Sequence, residues 1–267
     1  MRIPNPQTPI PNPQSLISKA MILAAGEGTR LRPLTLETPK VLLPIGEHPL
    51  IQHQLSWLKR HGIQEVAINL YHLGDKIKDF VGDGPRWGMK ICYSTEETLL
   101  GTAGAVKRME HFFDDTFVVV YGDVLTNLDL SAMVNFHHQK KGVATLAVFQ
   151  AANPLQLGVV GMDAEGRILS LVEKPQPPAA NPQSPVPSPQ SPVLASGGVY
   201  VLEEQVLDHI PAQGFSDFAF DVFPKLISLR RPFYGYLPSS KDYFIIDIGT
   251  WDKYRKANED ALKLPLC

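Results

Sequence analysis

The chain has 267 residues, 44% hydrophobic and 19% charged, with a formal net charge of −2, which is enough for one sizeable core. The near-neutral balance argues against a nucleic-acid partner, and no apolar run approaches the roughly 20 residues that a membrane helix needs. Two cysteines, Cys92 and Cys267, give no disulfide framework, and the N-terminus has no apolar stretch of a secretory signal, so a soluble cytoplasmic protein is expected.

Proline punctuates the chain. Of 24 prolines, five fall in residues 4–13 and eight in residues 175–192, and Asn-Pro-Gln-Ser occurs in both tracts, at Asn12 and at Asn181. Such Pro/Gln/Ser segments bury little apolar surface. Residues 1–19 are therefore expected to be a disordered tail, and 175–193 a flexible insertion in a domain spanning 20–267. Between the tracts, the apolar run Ala20 to Ala24 is a strand that ends in Gly26-Glu27-Gly28. Leu50, Ile51, Leu55 and Leu58 recur at helical spacing between Pro49 and His61, with Gly62 just beyond. Strands follow at Val66 to Leu70, Lys90 to Tyr93, Phe117 to Tyr121 and Ala144 to Phe149. Helices around Leu73 to Phe80, Ala103 to Met109 and Leu130 to Lys140 separate them. This alternation predicts an α/β fold, a Rossmann-like, mainly parallel sheet with helices on both faces. Later strands near Gly158 to Met162, Leu169 to Glu173 and Gly197 to Leu202 have little helix between them, so the second half reads as a mixed-sheet extension folding over the first. Ligands of parallel sheets sit at the carboxyl ends of the strands.

The chemistry-bearing candidates lie at such ends. After the first strand, small residues and glycines from Leu23 through Ala24, Ala25, Gly26 and Gly28 to Thr29 let the backbone approach a ligand closely, and their N–H groups can face phosphate oxygens. Arg30 follows at once, and its planar fork suits phosphate. An ordinary tight turn is the competing reading. A P-loop is excluded because no Gly-Lys-Ser/Thr closes the loop, and a dinucleotide fingerprint because Leu31 stands where the third glycine belongs. Lys40 is stiffened by Pro39 but is alone. Asp123 follows one apolar run and Asp247 another, so the pair can hold one Mg²⁺ through oxygen ligands; aspartate before a turn is also common for local reasons. Glu173 and Lys174 end a further strand, and Ser196-Gly197-Gly198 offers backbone that a sugar ring can approach. The eight histidines show no ligand spacing.

Taken together, the stretches LAAGEGTRLRPLT from Leu23, Pro39-Lys40, GTAGA from Gly101, Gly122-Asp123, LGVV from Leu157, Glu173-Lys174-Pro175, GVY from Gly198 and DIGT from Asp247 resemble the sugar-1-phosphate nucleotidyltransferases. They occur in the family's order over nearly the whole chain outside the Pro-rich tracts. The resemblance implies that Leu23 to Arg30 hold a nucleoside triphosphate, with Arg30 on the departing phosphates. It implies Lys40 on the α-phosphate and the incoming sugar phosphate. Gly101 lies by the base, with Thr102 in the same nucleotide-binding stretch. Asp123 and Asp247 share Mg²⁺. Gly158, Glu173, Ser196 and Gly198 face the sugar 1-phosphate, with Lys174 on its phosphate. Arg30, Lys40, Asp123 and Lys174 then form the catalytic set. Two departures bear on the sugar and on assembly. Ser196 stands where the family often has the longer Asn, and the loop after Pro175 is much longer than usual. With no β-helix after the Asp247 stretch, the resemblance implies a catalytic domain without that trimer interface, and a homo-oligomer of another kind stays open.

Among the family's branches, the mannose-1-phosphate and heptose-phosphate guanylyltransferases are the most similar in appearance, through Leu100 to Ala105 and Tyr243 to Thr250. Glu96 stands five residues before Gly101, where a base-reading side chain fits. Guanine presents two adjacent donors and a carboxylate accepts two hydrogen bonds, whereas uracil and thymine suit an amide better. Glu96 and Glu97 as a solvated pair is the alternative, which leaves uridylyl or thymidylyl transfer as the rival. A non-catalytic nucleotide-binding subunit is the reading from a different class.

Overall fold

A computed structural model describes residues 17–151, 157–174, 193–240 and 242–261. The expected tail up to residue 16, the insertion at 175–192 and Cys267 lie outside the described residues. In chain order the elements are β1 (Lys19–Leu23), α1 (Leu34–Glu37), β2 (Pro44–Ile45), β3 (His48–Pro49), α2 (Leu50–Arg60), β4 (Glu65–Leu70), α3 (Gly74–Val81), β5 (Lys90–Thr95), α4 (Gly101–Arg108), β6 (Phe117–Tyr121), β7 (Val124–Thr126), α5 (Leu130–Lys140) and β8 (Ala144–Ala151). The second half adds β9 (Gly158–Met162), β10 (Ile168–Glu173), β11 (Val193–Leu202), α6 (Phe223–Ser228), β12 (Phe233–Tyr236), β13 (Ile245–Asp247) and α7 (Trp251–Ala261).

Local chemistry explains several boundaries. Pro49 precedes the first residue of α2, and the apolar positions read from the sequence are buried with Trp57. Asp129 caps α5 by accepting from Ala132 N–H at 2.9 Å. The β-branched run of β6 is buried on both faces, as a central parallel strand requires.

Nine strands form one sheet in the order β10-β9-β11-β6-β1-β4-β5, with β8 on β11 and β12 on β8. Strands β6, β1, β4 and β5 are mutually parallel. Strands β9 to β12 of the second half do not fold over this unit. They continue it edge to edge, because β11 pairs antiparallel with β6, while β13 pairs with β7 in a separate two-stranded sheet. Side chains of β1 alternate between two cores: Ala20 and Ile22 pack with α2 and α5, while Met21 packs on the opposite face with α4 and α6. The order β5-β4-β1-β6 changes winding direction between β1 and β6, which opens a crevice at their carboxyl ends.

A short π-helical segment, Phe218–Val222, leads into α6 and is tied to the sheet by aromatic contacts. Phe223 stacks between Phe218 at 5.3 Å and Phe233 at 4.7 Å and meets the edge of Tyr200 at 5.0 Å. Phe223 is 1% exposed. Replacing it with alanine removes the middle of the stack, so Phe223→Ala is expected to cost about 3–5 kcal/mol. Urea unfolding checks this through a lowered midpoint at unchanged slope.

Candidate active site

The site begins where β1 ends. Ala24 N–H donates to Asn69 Oδ1 at 2.7 Å, and Asn69 Nδ2 donates to Glu96 Oε1 at 2.8 Å. The other Glu96 oxygen accepts from Leu100 N–H at 2.9 Å. One amide and one carboxylate thus join the chain after β1, the strand β4, the loop after β5 and the start of α4. Glu96 is only 4% exposed, so the solvated-pair reading fails for it, while Glu97 is exposed.

Across the crevice, Gly122 N–H donates to the Leu23 carbonyl at 2.9 Å. A Cβ at Gly122 would lie 2.5 Å from that oxygen, so a side chain here would push β1 and β6 apart. Gln54 Nε2, from α2, donates to the carbonyls of Tyr121 at 2.9 Å and Val124 at 2.8 Å. It clamps both sides of the turn that carries Asp123. Asp123 Oδ2 pairs with Lys40 Nζ at 2.5 Å.

Asp247 reaches the same place by a different route from the one expected. It is the last residue of β13, not a residue beyond a parallel strand, and β13 runs antiparallel to β7 with Asp247 opposite Val124. Ile248 N–H then donates to the Asp123 carbonyl at 2.9 Å. Asp247 accepts from Gly249 N–H at 3.1 Å and pairs with Lys253 of α7.

Two cavities open on this junction. One, of about 250 Å³, is lined by Leu23, Ala24, Ala25, Gly26, Lys40, Glu96, Gly101 and Thr102. The other, of about 260 Å³, is lined by Arg30, Gly158, Glu173, Lys174, Ser196, Gly198 and Asp247. Tyr121, Asp123 and Asp217 line both. Gly28 and Thr29 line neither. They shape the turn behind the loop, where Thr35 Oγ1 donates to the Gly28 carbonyl at 2.9 Å. Arg30 reaches the second cavity, beside Asp247: a methyl at Gly249 would lie 2.9 Å from Arg30 Nη2 and 2.8 Å from Asp247 Oδ1.

Glu173 and Lys174 lie side by side, 3.7 Å between Oε1 and Nζ. Burial holds the Glu173 carboxyl above its ordinary value, and the Lys174 ammonium partly offsets it. Lys174 takes a left-handed backbone (φ +46°), and its N–H donates to the Leu157 carbonyl at 3.0 Å. Gly101 is also left-handed (φ +75°), and a Cβ there would lie 2.4 Å from the Ser216 carbonyl oxygen. That carbonyl accepts from Ala103 and Gly104 N–H, both at 3.0 Å. Gly101 therefore serves the docking of α4 on the 214–217 loop as well as the cavity wall.

Sequence reasoning missed Asn69, Gln54, Lys253, Tyr121 and Asp217. Asn69 left one signal, a polar residue inside the apolar run of β4. Asp217 accepts from Thr102 Oγ1 at 2.8 Å and from Ala219 N–H at 2.8 Å, while Thr102 Oγ1 accepts from Phe218 N–H at 2.9 Å. Burial keeps the Tyr121 and Tyr200 hydroxyls protonated by pushing both upward. Among the described residues no group of three or more His, Cys, Asp or Glu is gathered for a metal. Asp123 and Asp247 both line the second cavity, and their chemistry fits Mg²⁺, which takes one or two carboxylates together with substrate phosphates.

Residues 19–263 match the model of the family described as nucleotidyl transferase. A UTP–glucose-1-phosphate uridylyltransferase of Synechocystis sp. is 37% identical over 258 residues, covering 91% of this chain and 63% of that protein. A mannose-1-phosphate guanylyltransferase of Mycobacterium tuberculosis is 32% identical over 246 residues, covering 91% of this chain and 64% of that protein. The crystal structure of a Bacillus anthracis protein in complex with sucrose superimposes with a TM-score of 0.78 at 27% identity, covering 93% of this chain and 97% of that one. The chain spans a little under two thirds of the length of these two curated relatives.

The raised Glu173 pKa has a consequence for stability. Below the unfolded value of about 4.3 the carboxyl is neutral in both states, and stability is lost as pH rises through the folded value. Glu173→Gln removes that loss. In urea melts without substrates, the variant is expected to match the parent near pH 4 and to exceed it at pH 7; a difference independent of pH would contradict the assignment.

Proposed function

The chain belongs to the nucleotidyl transferase family, and on that premise we propose that it joins a nucleoside triphosphate to a sugar 1-phosphate, giving a nucleotide-sugar and pyrophosphate. The observation that carries this reading is the meeting of two cavities at Asp123, with cations on both sides. The residues 20–267 serve as the catalytic unit. The first cavity takes the nucleotide, with Leu23 to Gly26 along its phosphates and Gly101 and Thr102 towards the base. The second takes the sugar phosphate, with Glu173, Ser196 and the backbone at Gly158 and Gly198 facing the ring, and Lys174 on the phosphate.

A phosphate monoester is largely dianionic at neutral pH (second pKa about 6), so the nucleophile needs no general base. One of its oxygens attacks the α-phosphorus in line, the bond from the α-phosphorus to the bridging oxygen breaks, and pyrophosphate leaves with that electron pair. The obstacle is the approach of one anion to another, which fixed cations relieve. Lys40 stands at the junction, where the α-phosphate and the incoming phosphate meet. Arg30 lies on the Asp247 side, and Lys174 lines the second cavity beside Glu173. Asp123 and Asp247 are the residues that would hold Mg²⁺, which when bound screens the phosphates and polarises the α-phosphoryl oxygen.

For the base, guanine is the reading that Glu96 supports. Its two oxygens each have one protein partner, and each carboxylate oxygen has a second lone pair for N1–H and the 2-amino group. Mannose 1-phosphate or a heptose 1-phosphate is the matching sugar, by likeness to the guanylyltransferases. Uridylyl transfer to glucose 1-phosphate is the second reading, favoured by the 37% identity to the Synechocystis enzyme.

Pyrophosphate release decides between them, with Mg²⁺ and GTP, UTP, dTTP, ATP or CTP against mannose, glucose and heptose 1-phosphates. GTP with mannose or heptose 1-phosphate is expected to be the best pair. Lys40→Ala is expected to lower kcat/KM by about 100- to 1,000-fold, and Asp123→Ala to abolish Mg²⁺-supported turnover. Release that is unaffected by either change would contradict the reading.

A further inference from the structure

Large apolar side chains at the surface are usually scattered and carry no message. Here two of the most exposed ones share a single short segment. Phe215 is 67% exposed and Phe220 64%. Phe215 lines the first cavity and Phe220 the second. Between them Asp217 lines both. The segment therefore runs along the rims of the two cavities and presents one aromatic ring to each.

The rings are exposed, but the backbone that carries them is fixed. Ser216, beside Phe215, is tied to α4 in both directions: its N–H donates to the Leu100 carbonyl at 2.9 Å, and its carbonyl accepts from Ala103 and Gly104. Phe215 Cε2 would lie 3.1 Å from a Cβ on Gly101, which places the ring against the wall carrying Gly101. Leu99, also exposed, lines that same cavity. On the other side, Phe220 projects from the π-helical turn while its neighbours Phe218 and Val222 are fully buried. Single π-turns often mark functional sites. A pre-set ring of this kind contributes binding without first paying to be ordered.

Resting on the transferase reading above, we propose that Phe215 is the stacking platform for the nucleobase and Phe220 the platform for the apolar face of the sugar ring. Both are positioning residues for substrate, outside the phosphate chemistry. Stacking tolerates any base, so Phe215 supplies affinity while the choice of base rests with Glu96. A pyranose presents C–H groups on one face, and the Phe220 ring offers them an apolar surface at the mouth of the cavity that holds Glu173 and Ser196.

The test uses the full chain and four variants: Phe215→Ala, Phe220→Ala, and the conservative Phe215→Tyr and Phe220→Tyr. Pyrophosphate release gives the KM of each substrate, and calorimetry with a non-transferable guanosine triphosphate analogue and Mg²⁺ gives the nucleotide Kd without turnover. Phe215→Ala is expected to raise nucleotide Kd and KM by about 10- to 100-fold, as loss of one base stack does, with sugar-phosphate KM within about twofold. Phe220→Ala is expected to raise the sugar-phosphate KM and leave nucleotide Kd within about twofold, and each tyrosine variant to restore the parent value. An active parent whose alanine variants keep both constants overturns the platforms and leaves the transferase reading standing. A parent that binds no nucleotide and releases no pyrophosphate overturns both.

Discussion

The hydrogen bond from Gly122 N–H to the Leu23 carbonyl fixes where two parallel strands end together, and the site is built on that level. It holds only because residue 122 has no side chain, since a Cβ would meet Leu23 O and Val41 at 2.5 and 2.8 Å. From one strand end runs the small-residue loop towards Arg30; from the other runs the turn bearing Asp123. Gln54 braces that turn from α2, and Asn69 braces the loop from β4. Two buried side-chain amides thus do for the strand ends what the ladder does for the strands. Buried backbone groups that leave a sheet need such partners.

Charge is arranged in pairs around the same point. Asp123 is matched by Lys40 and Asp247 by Lys253, each pair only partly exposed. Neither lysine comes from the element that carries its aspartate, so α7 and the turn at Lys40 are both committed to the junction. For the proposed reaction this matters because the substrates bring several negative charges into one crevice. A cation held on a carboxylate within the site is available to those charges without being ordered anew, which is the kind of preorganisation that stabilises charge in a transition state.

The fold was largely legible because its signals are local. The period of α2, the apolar run of β6 and the alternation of strands with helices depend on neighbouring residues. The strands and helices predicted in the first half lie within a few residues of where the sequence puts them, while the short elements α1, β2, β3 and β7 were not predicted. Helix α7 left little trace because only Ala257 of its residues is buried, so no apolar stripe repeats. The continuation of the sheet through β11 was also hidden, since pairing partners are not written in a strand's own sequence. At the site, the glycine loop, Asp123 and the Glu173-Lys174 pair stand out as residue types at strand ends, and Lys40 as a cation fixed behind Pro39. Asp217 and Phe215 do not, because their meaning comes from contacts with α4, more than 100 residues earlier in the chain. Phe220 does not, because only the folded chain brings it to the second cavity. Glu96 was visible as a carboxylate near Gly101, but its burial and its tie to Asn69 follow from tertiary packing alone.

The account turns on the claim that nucleotide and sugar phosphate meet at Asp123. A crystal structure with a non-transferable guanosine triphosphate analogue, mannose 1-phosphate and Mg²⁺ tests this most directly. The account predicts the α-phosphate and the sugar phosphate facing each other beside Lys40, the metal on Asp123 and Asp247, and the base near Glu96 and Gly101. A nucleotide seated outside the cavity of Leu23 to Gly26, or a metal bound without either aspartate, would contradict it.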